Sequence, residues 1–491
     1  MSSSLARALR LARTVVGRQR NGVLSLAVAV ALSACSLAPK YEAPSVEAVS
    51  AYKEAGEWKQ AQPSDTQPRG AWWQAFGDPK LNELQLQLRD GSQDLRAAVA
   101  RFEQARAVAR RARSDVFPTV NAGVSATRQR SSANAPASDG TIATGNDFLA
   151  SVDLSWEIDL FGRLRNASAA ARDQAQASSA DLAAIDLALR AELASDYFSL
   201  RGADAELRLL EDTLTAYDRA YDLTHNRYEG GIAAATDVDQ AETQRQNARA
   251  QLASVRLQRA QFEHAMAVLL GHAPANFSID IAPLVGEPPP IDSGLPSTLL
   301  QRRPDVASAE RAVAAANAEI GVARAAWFPV FVLGGSAGYQ STATSGWFEA
   351  PSRFWSAGPS AQVPLLDFGA RSAINRQARA AYDEAVANYR QSALTAYQEV
   401  EDNLAALRHL ADEVAADEAA AASAQRSAYH ADRRYAAGVA DYLEVASTQT
   451  AALQAQRSAL EARVRRMNAA VGLVRAMGGG WTQDQLEAPV L

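Results

Sequence analysis

The chain has 491 residues, more than one ordinary hydrophobic core accommodates, so two or more units or one elongated unit are expected. Aromatic residues make up only 7%, and the abundance of Ala, Leu, Glu, Gln and Arg favours long helices. Residues 1–34 carry Arg7, Arg10, Arg13, Arg18 and Arg20 and no acid; the remainder holds 44 basic against 55 acidic residues, a net of -11 that argues against nucleic acid as a partner.

The arginine-rich opening runs into GVLSLAVAVALSAC, a short apolar stretch ending in small residues. This reads as a secretory signal peptide over residues 1–34, too short to persist as a spanning helix. Cys35, the one cysteine of the chain, stands directly after LSA and has no internal disulfide partner. The pattern resembles the bacterial lipobox, in which the cysteine becomes the lipid-bearing first residue of the mature protein. Several acyl chains, each stabilising membrane attachment by roughly 0.8 kcal/mol per buried CH₂, would anchor it firmly. Ser36 stands where an Asp would signal retention in the inner membrane, so the resemblance implies the outer membrane, with a lipidated N-terminal segment over residues 35–80.

The rest of the chain is written twice. RYEGGIAAATDV, at 227–238, returns 207 residues later as RYAAGVADYLEV, and at the same offset Phe161-Gly162 maps onto Phe368-Gly369 and Gly231 onto Gly438. Phe117-Pro118 and Phe328-Pro329 are 211 apart, the difference falling in a loop. We therefore expect a first structural repeat over residues 81–281, a proline-rich linker over 282–296, a second repeat over 297–477 and a tail over 478–491 that begins GGGW.

In chain order, TVNAGVSATRQ alternates through Val120, Ala122, Val124 and Ala126, and DFLASVDLSWEID through Phe148, Ala150, Val152, Leu154, Trp156 and Ile158. Both predict strands. Residues 163–229 then contain Gly202 as their only glycine and no proline, which predicts one helix or two nearly continuous ones, about 100 Å long. Leu182, Ile185, Leu189 and Leu193, then Leu207, Leu210, Leu214, Tyr217 and Tyr221, give it a narrow seam. Copy two repeats the order. Phe331, Leu333, Ala337 and Tyr339 share one face of a third strand, and Trp355, Ala357, Val363 and Leu365 one face of a fourth, with Pro359 as a blemish. Residues 370–437, free of Gly and Pro, likewise predict one helix or two nearly continuous ones, here with a seam of small residues: Ala421, Ala424 and Ala428. Strands of this length suit a membrane barrel, but four cannot close one, since known barrels begin at eight. Either the strands form soluble hairpins or several chains share a barrel, a trimer with twelve strands being the economical case.

Taken together, Cys35, WWQAFGDPKLNEL at 72–84, the paired FP and FG motifs, QRRPDVASAERAV at 301–313 and the two glycine motifs resemble the TolC-like outer-membrane efflux factors. The likeness is to their lipoprotein branch, which serves resistance-nodulation-division multidrug pumps. It implies a mainly α fold with membrane β structure: a homotrimer whose twelve-stranded barrel continues into an α-helical periplasmic barrel, coupled to a periplasmic adaptor and an inner-membrane efflux pump. The two glycine motifs would be turns at the periplasmic tip, with Gly231 and Gly438 adopting positive φ. Asp237, Asp441 and Glu444 would ring the constriction, and Asp237 and Tyr435 occupy positions used for links between neighbouring hairpins. The basic partner in those links falls here on Ala440. Arg303 and Asp305 read as structural, with Pro304 opening a helix.

No catalytic constellation is visible. His225, His264, His272, His409 and His430 lack metal-ligand spacing, and no glycine-rich phosphate loop occurs. The expected function is the exit duct of a tripartite efflux system for drugs or other small molecules, with no cofactor beyond covalent lipid on Cys35. Alternatives are a duct for type I polypeptide secretion or metal-ion export, or a non-conducting coiled-coil envelope lipoprotein. The lipid expectation is tested directly: a fatty-acid analogue should label the wild type and not Cys35→Ser, and equal labelling of both would overturn it.

Overall fold

The structure, a computed structural model, describes residues 36–46, 51–55, 70–130, 132, 134, 142, 144–284, 286–290 and 302–481. Cys35, the signal peptide and parts of the expected linker and tail lie outside them. The elements are helices α1 (Pro79–Gly91) and α2 (Gln93–Ser114), strands β1 (Thr119–Arg130) and β2 (Thr144–Ile158), helices α3 (Arg163–Glu229), α4 (Ala235–Leu269) and α5 (Pro304–Ala325), strands β3 (Val330–Ser341) and β4 (Arg353–Gln362), and helices α6 (Ala370–Ala436) and α7 (Tyr442–Ala476). The duplication is exact in length where it matters: α3 and α6 have 67 residues each, α4 and α7 35 each. Among the described residues no helix is long and apolar enough to cross a membrane.

The chain divides into two compact units. Of the described residues, the first takes those within 36–44, 103–177 and 309–389. Its centre is one antiparallel sheet in the order β1-β2-β3-β4, so the two copies are joined through the β2–β3 pair and β1 and β4 are left as edges. The register places Val120, Ala122, Val124 and Ala126 beside Leu154, Val152, Ala150 and Phe148, and these in turn beside Gly335, Ala337, Tyr339 and Ser341. Trp355 and Ala357 continue that face on β4. It is apolar and open, Val124 being 75% and Trp355 80% exposed. The opposite face is polar. There Asp153 accepts hydrogen bonds from Ser336 (2.6 Å) and Ser151 (2.8 Å), and Gln340 donates to Asp147 (3.0 Å).

β4 is shorter than its sequence pattern. It ends at Gln362, and Val363 and Leu365, expected on its apolar face, lie beyond it because Pro364 between them has no N–H to continue a ladder. Pro359 is accommodated opposite Leu333 on an edge strand, where proline is tolerated. The FG motifs turn strand into helix: Gly162 (φ 79°) and Gly369 (φ 94°) take left-handed conformations. Asp159 then caps α3 by accepting from the Arg165 amide (2.9 Å), and Asp367 caps α6 by accepting from the amides of Gly369 (3.1 Å) and Arg371 (3.2 Å). Phe161 of copy one stacks on Phe328 of copy two, ring centroids 4.5 Å apart. The N-terminal residues are strapped to this unit: Ser36 Oγ donates to Asn166 (2.8 Å), Arg324 to the Leu37 carbonyl (3.1 Å), Asn317 to the Pro39 carbonyl (2.9 Å), and Tyr41 to Glu310.

The second unit takes the described residues within 45–102, 178–308 and 390–481. The seam expected on α3 is its core: Leu182, Leu189, Leu193, Leu207, Leu210 and Tyr217 are buried, and Leu207 and Leu210 pack with Leu252 and Val255 of α4 and Leu453 of α7. Asp78 caps α1 by accepting from the amides of Lys80 (2.8 Å) and Leu81 (3.1 Å) and also accepts from the Tyr197 hydroxyl (2.6 Å), which ties the WWQAFGDP motif to α3. Fully buried Asp204 is neutralised by Arg201 (2.8 Å) and Arg259 (2.6 Å), whose remaining donors hold the carbonyls of Asp280 and Ile279. In the second copy Pro304 opens α5 while Arg303 spans Asp305 (2.6 Å), Glu399 (2.6 Å) and the Ala476 carbonyl (3.1 Å). Both are satisfied buried charges, for which removal of one partner is the costly event.

Gly202, in the interior of α3, has a structural reason. A Cβ there would lie 2.5 Å from Cγ2 of Val464 on α7, a branched side chain with little freedom to yield. Gly202→Ala would gain about 1 kcal/mol of helix propensity, but the crowding costs about 1–3 kcal/mol. We expect a lower melting temperature in detergent; an unchanged or raised one would show that α3 and α7 are not in this close contact.

Candidate functional site

The candidate site is where α3 turns into α4 and α6 into α7, all within the second unit. The two turns are built alike. The amides of Gly231 and Ile232 donate to the carbonyls of Tyr228 (2.9 Å) and Arg227 (2.8 Å), and those of Gly438 and Val439 to Tyr435 (3.0 Å) and Arg434 (3.0 Å). This is the Schellman arrangement, which needs a left-handed residue at its centre. Gly231 (φ 72°) and Gly438 (φ 77°) supply it.

Each acid expected at the constriction has a local role at a helix start. Asp441 is the N-cap of α7, accepting from the Glu444 amide (2.9 Å). Ala234, its counterpart before α4, has no side chain to cap with, and Asp237 instead reaches back to the Ala234 amide (3.3 Å). Glu444 pairs with Arg434 at 2.5 Å on a largely exposed surface, where such a pair contributes ~0–1 kcal/mol. Ala440 lies in the bend just before Asp441.

Tyr435 is where the hairpins meet. It is 5% exposed and packs with Ala220, Ala241, Ala431, Tyr442 and Val445. Its hydroxyl is 3.0 Å from Thr224 Oγ1, and Arg227 lies over its ring at 4.5 Å while donating to the carbonyls of Tyr435 (2.8 Å) and Ala436 (3.1 Å). Asp237 and Tyr435 are thus not bonded to one another within the chain. A second crossing joins the other two helices. The Tyr442 hydroxyl donates to Gln244 Oε1 (2.8 Å), and Gln244 donates to the Ala446 carbonyl (2.8 Å) and Thr450 (3.2 Å). Burial, with Tyr217, Tyr435 and Asp237 nearby, raises the Tyr442 pKa, which keeps that donor protonated.

Thr224, Arg227, Tyr442 and Gln244 were not singled out by the sequence. One signal was available: Arg227-Tyr228 and Arg434-Tyr435 are the same dipeptide in the two copies, yet Tyr228 is 47% exposed where Tyr435 is buried. Among the described residues no cluster of three or more His, Cys, Asp or Glu is placed to hold a metal ion.

A family model described as outer membrane efflux protein matches residues 85–272 and again 295–479. The chain is 34% identical over 467 residues, 93% of its length and 96% of the relative, to the toluene efflux pump outer membrane protein TtgF of Pseudomonas putida. It is 30% identical over 464 residues, 94% and 99% of the two chains, to the cation efflux system protein CusC of Escherichia coli. The crystal structure of the open state of the Neisseria gonorrhoeae MtrE outer membrane channel superposes with a TM-score of 0.79 at 28% identity, covering 91% of this chain and 99% of that one.

The crossing contacts make a local prediction. Arg227→Met keeps the ring packing but removes both bonds to the end of α6, a loss of about 1.5–3 kcal/mol for charge-assisted bonds. Amide exchange over residues 434–440 should rise by about ten-fold or more. Unchanged exchange there would mean that Arg227 does not hold the second hairpin.

Proposed function

The chain belongs to the outer membrane efflux protein family, and on that premise we propose that it forms, as a homotrimer, the outer-membrane exit duct of a tripartite efflux system. The observation that carries this is the sheet: four strands with one exposed apolar face, one polar face and two open edges. In hydrocarbon an open edge leaves backbone N–H and C=O groups unsatisfied, so β1 must pair with β4 of another copy. Three copies give twelve strands, with the apolar face toward lipid and the Asp147, Asp153 and Ser336 face lining a wet lumen. The paired helices continue as a periplasmic barrel, and the six turns at Gly231 and Gly438 form its narrow end.

Asp237, Asp441 and Glu444 from three chains gather negative charge at that end and concentrate cations. Opening separates hairpins that Thr224, Arg227 and Tyr435 hold together, so it is a step that a periplasmic adaptor and an inner-membrane pump drive. The relatives are named for toluene and for cations, which supports a duct whose cargo, drugs or other small molecules, is chosen by the pump. The chain acts as a conduit rather than an enzyme, and lipid on Cys35 supplies a membrane hold separate from the barrel.

Two measurements test this. Native mass spectrometry in detergent should give three copies; a stable monomer with intact strand content would refute the shared barrel. In planar bilayers the isolated protein should show a small, cation-selective conductance, and Asp441→Asn with Glu444→Gln should weaken the selectivity. Conductance should rise in Tyr435→Phe combined with Asp237→Ala, and more in Arg227→Met. If all these trimers conduct like wild type, the closed state is held elsewhere.

A further inference from the structure

An open groove of about 550 Å³ lies in the first unit, where β3 begins and β4 ends, lined by Arg324, Trp327, Phe328, Asn375, Arg376 and Arg379. Asn375, Arg376 and Arg379 share one face of the first turns of α6. Arg324 closes the groove from α5, donating one bond to the Leu37 carbonyl (3.1 Å). Trp327 is half-exposed, with Arg371 over its ring at 4.8 Å. Arg371 is already paired with Asp367, whereas neither Arg376 nor Arg379 is in an ion pair among the described residues.

The first copy of the repeat shows that this cluster is not needed to make the fold. At the corresponding positions Val116 replaces Trp327, Ala169 replaces Arg376, and Arg172, the counterpart of Arg379, is paired at 3.6 Å with Asp173, where copy two has Ala380. Copy two has therefore gained an aromatic ring and moved a cation, from Arg165 (whose counterpart is Ser372) to Arg376; in copy one Arg165 and Arg172 are paired with Asp159 and Asp173, whereas the pair Arg376 and Arg379 is not matched in this way. Leu37, which also lines the groove and whose carbonyl Arg324 holds, is two residues from Cys35 along the chain, and the groove lies at the end of the sheet that turns into helix, which on the barrel reading is the headgroup layer of the periplasmic leaflet. Unpaired guanidiniums suit bidentate phosphate contacts, and a half-exposed Trp suits a membrane interface.

We infer that this groove is a binding site for the phosphate headgroup of an anionic glycerophospholipid, its acyl chains lying along the apolar face of the sheet. Arg376 and Arg379 engage the phosphate, Asn375 donates to the glycerol region, and Trp327 and Phe328 cover the first methylenes. Basic pockets at membrane boundaries hold such headgroups in the same way. The inference rests on the outer-membrane barrel reading, and its test separates the two.

Delipidated wild-type protein and Arg376→Gln/Arg379→Gln, each assembled in detergent, are titrated with phosphatidylglycerol, phosphatidylethanolamine or inorganic phosphate. Bound lipid is counted by native mass spectrometry and stability followed by thermal melting. We expect the wild type to retain phosphatidylglycerol at a ten-fold or greater preference over phosphatidylethanolamine, and the double variant to lose that preference. Equal retention by both proteins overturns the site. Inorganic phosphate raising the melting temperature as much as phosphatidylglycerol overturns the lipid in favour of a free anion. Arg376→Ala, which restores the residue of copy one, is the second variant should the first not assemble, and it too should lose preference. Bilayer conductance of wild type and variants should be equal: absence of conductance in all of them would count against the duct and leave the lipid preference to be judged by itself.

Discussion

A strand in hydrocarbon can send its backbone N–H and C=O groups only to another strand, because no water is present to take them. β1 and β4 each present such a row on their outer side, and each unsatisfied group there would cost several kcal/mol. Much else in the chain follows from this need for closure. The duplication provides two strand pairs that join through β2 and β3, and the alternation of residues then sorts one face for lipid and one for water. The FG turns with their aspartate caps convert every second strand into a long helix without exposing an uncapped terminus.

The long helices face a different demand. A polar-surfaced helix of 67 residues has no compact core to bury it, so it is held by a narrow seam and by charges that are paired where they are buried. Asp204 with Arg201 and Arg259, and Arg303 with Asp305 and Glu399, do this near the points where irregular segments dock. Where helices come closest, small residues take over, as Gly202 does against Val464.

The features legible in the sequence were those set by local rules. A span with no proline and Gly202 as its only glycine marked α3, and one with neither marked α6 to within a residue; alternation marked β1 to β3, and the glycines of the repeated motif marked the two turns. The end of β4 was misread because Trp355 to Leu365 keeps an apolar rhythm past Gln362, and rhythm does not register the missing amide of Pro364. The side chains that hold the hairpins together were not legible, since Thr224 and Tyr435 are 211 positions apart and Gln244 and Tyr442 198 apart. Nothing local distinguishes a crossing Arg227 from an exposed Arg434; only the fold assigns them different work.

The hydrogen bonds of Arg227 across the hairpins go to two carbonyl oxygens, while its guanidinium also lies over the Tyr435 ring. A carbonyl is present whatever residue supplies it, so the partner of Arg227 cannot be lost by substitution at position 436, whereas the arginine itself has no substitute with the same fork of donors. The burden of keeping the hairpins joined is thereby unequally shared. On the second copy's side the contact therefore depends on the backbone at position 436 and on the side chain only at Tyr435, whereas on the first copy's side it depends on the arginine itself.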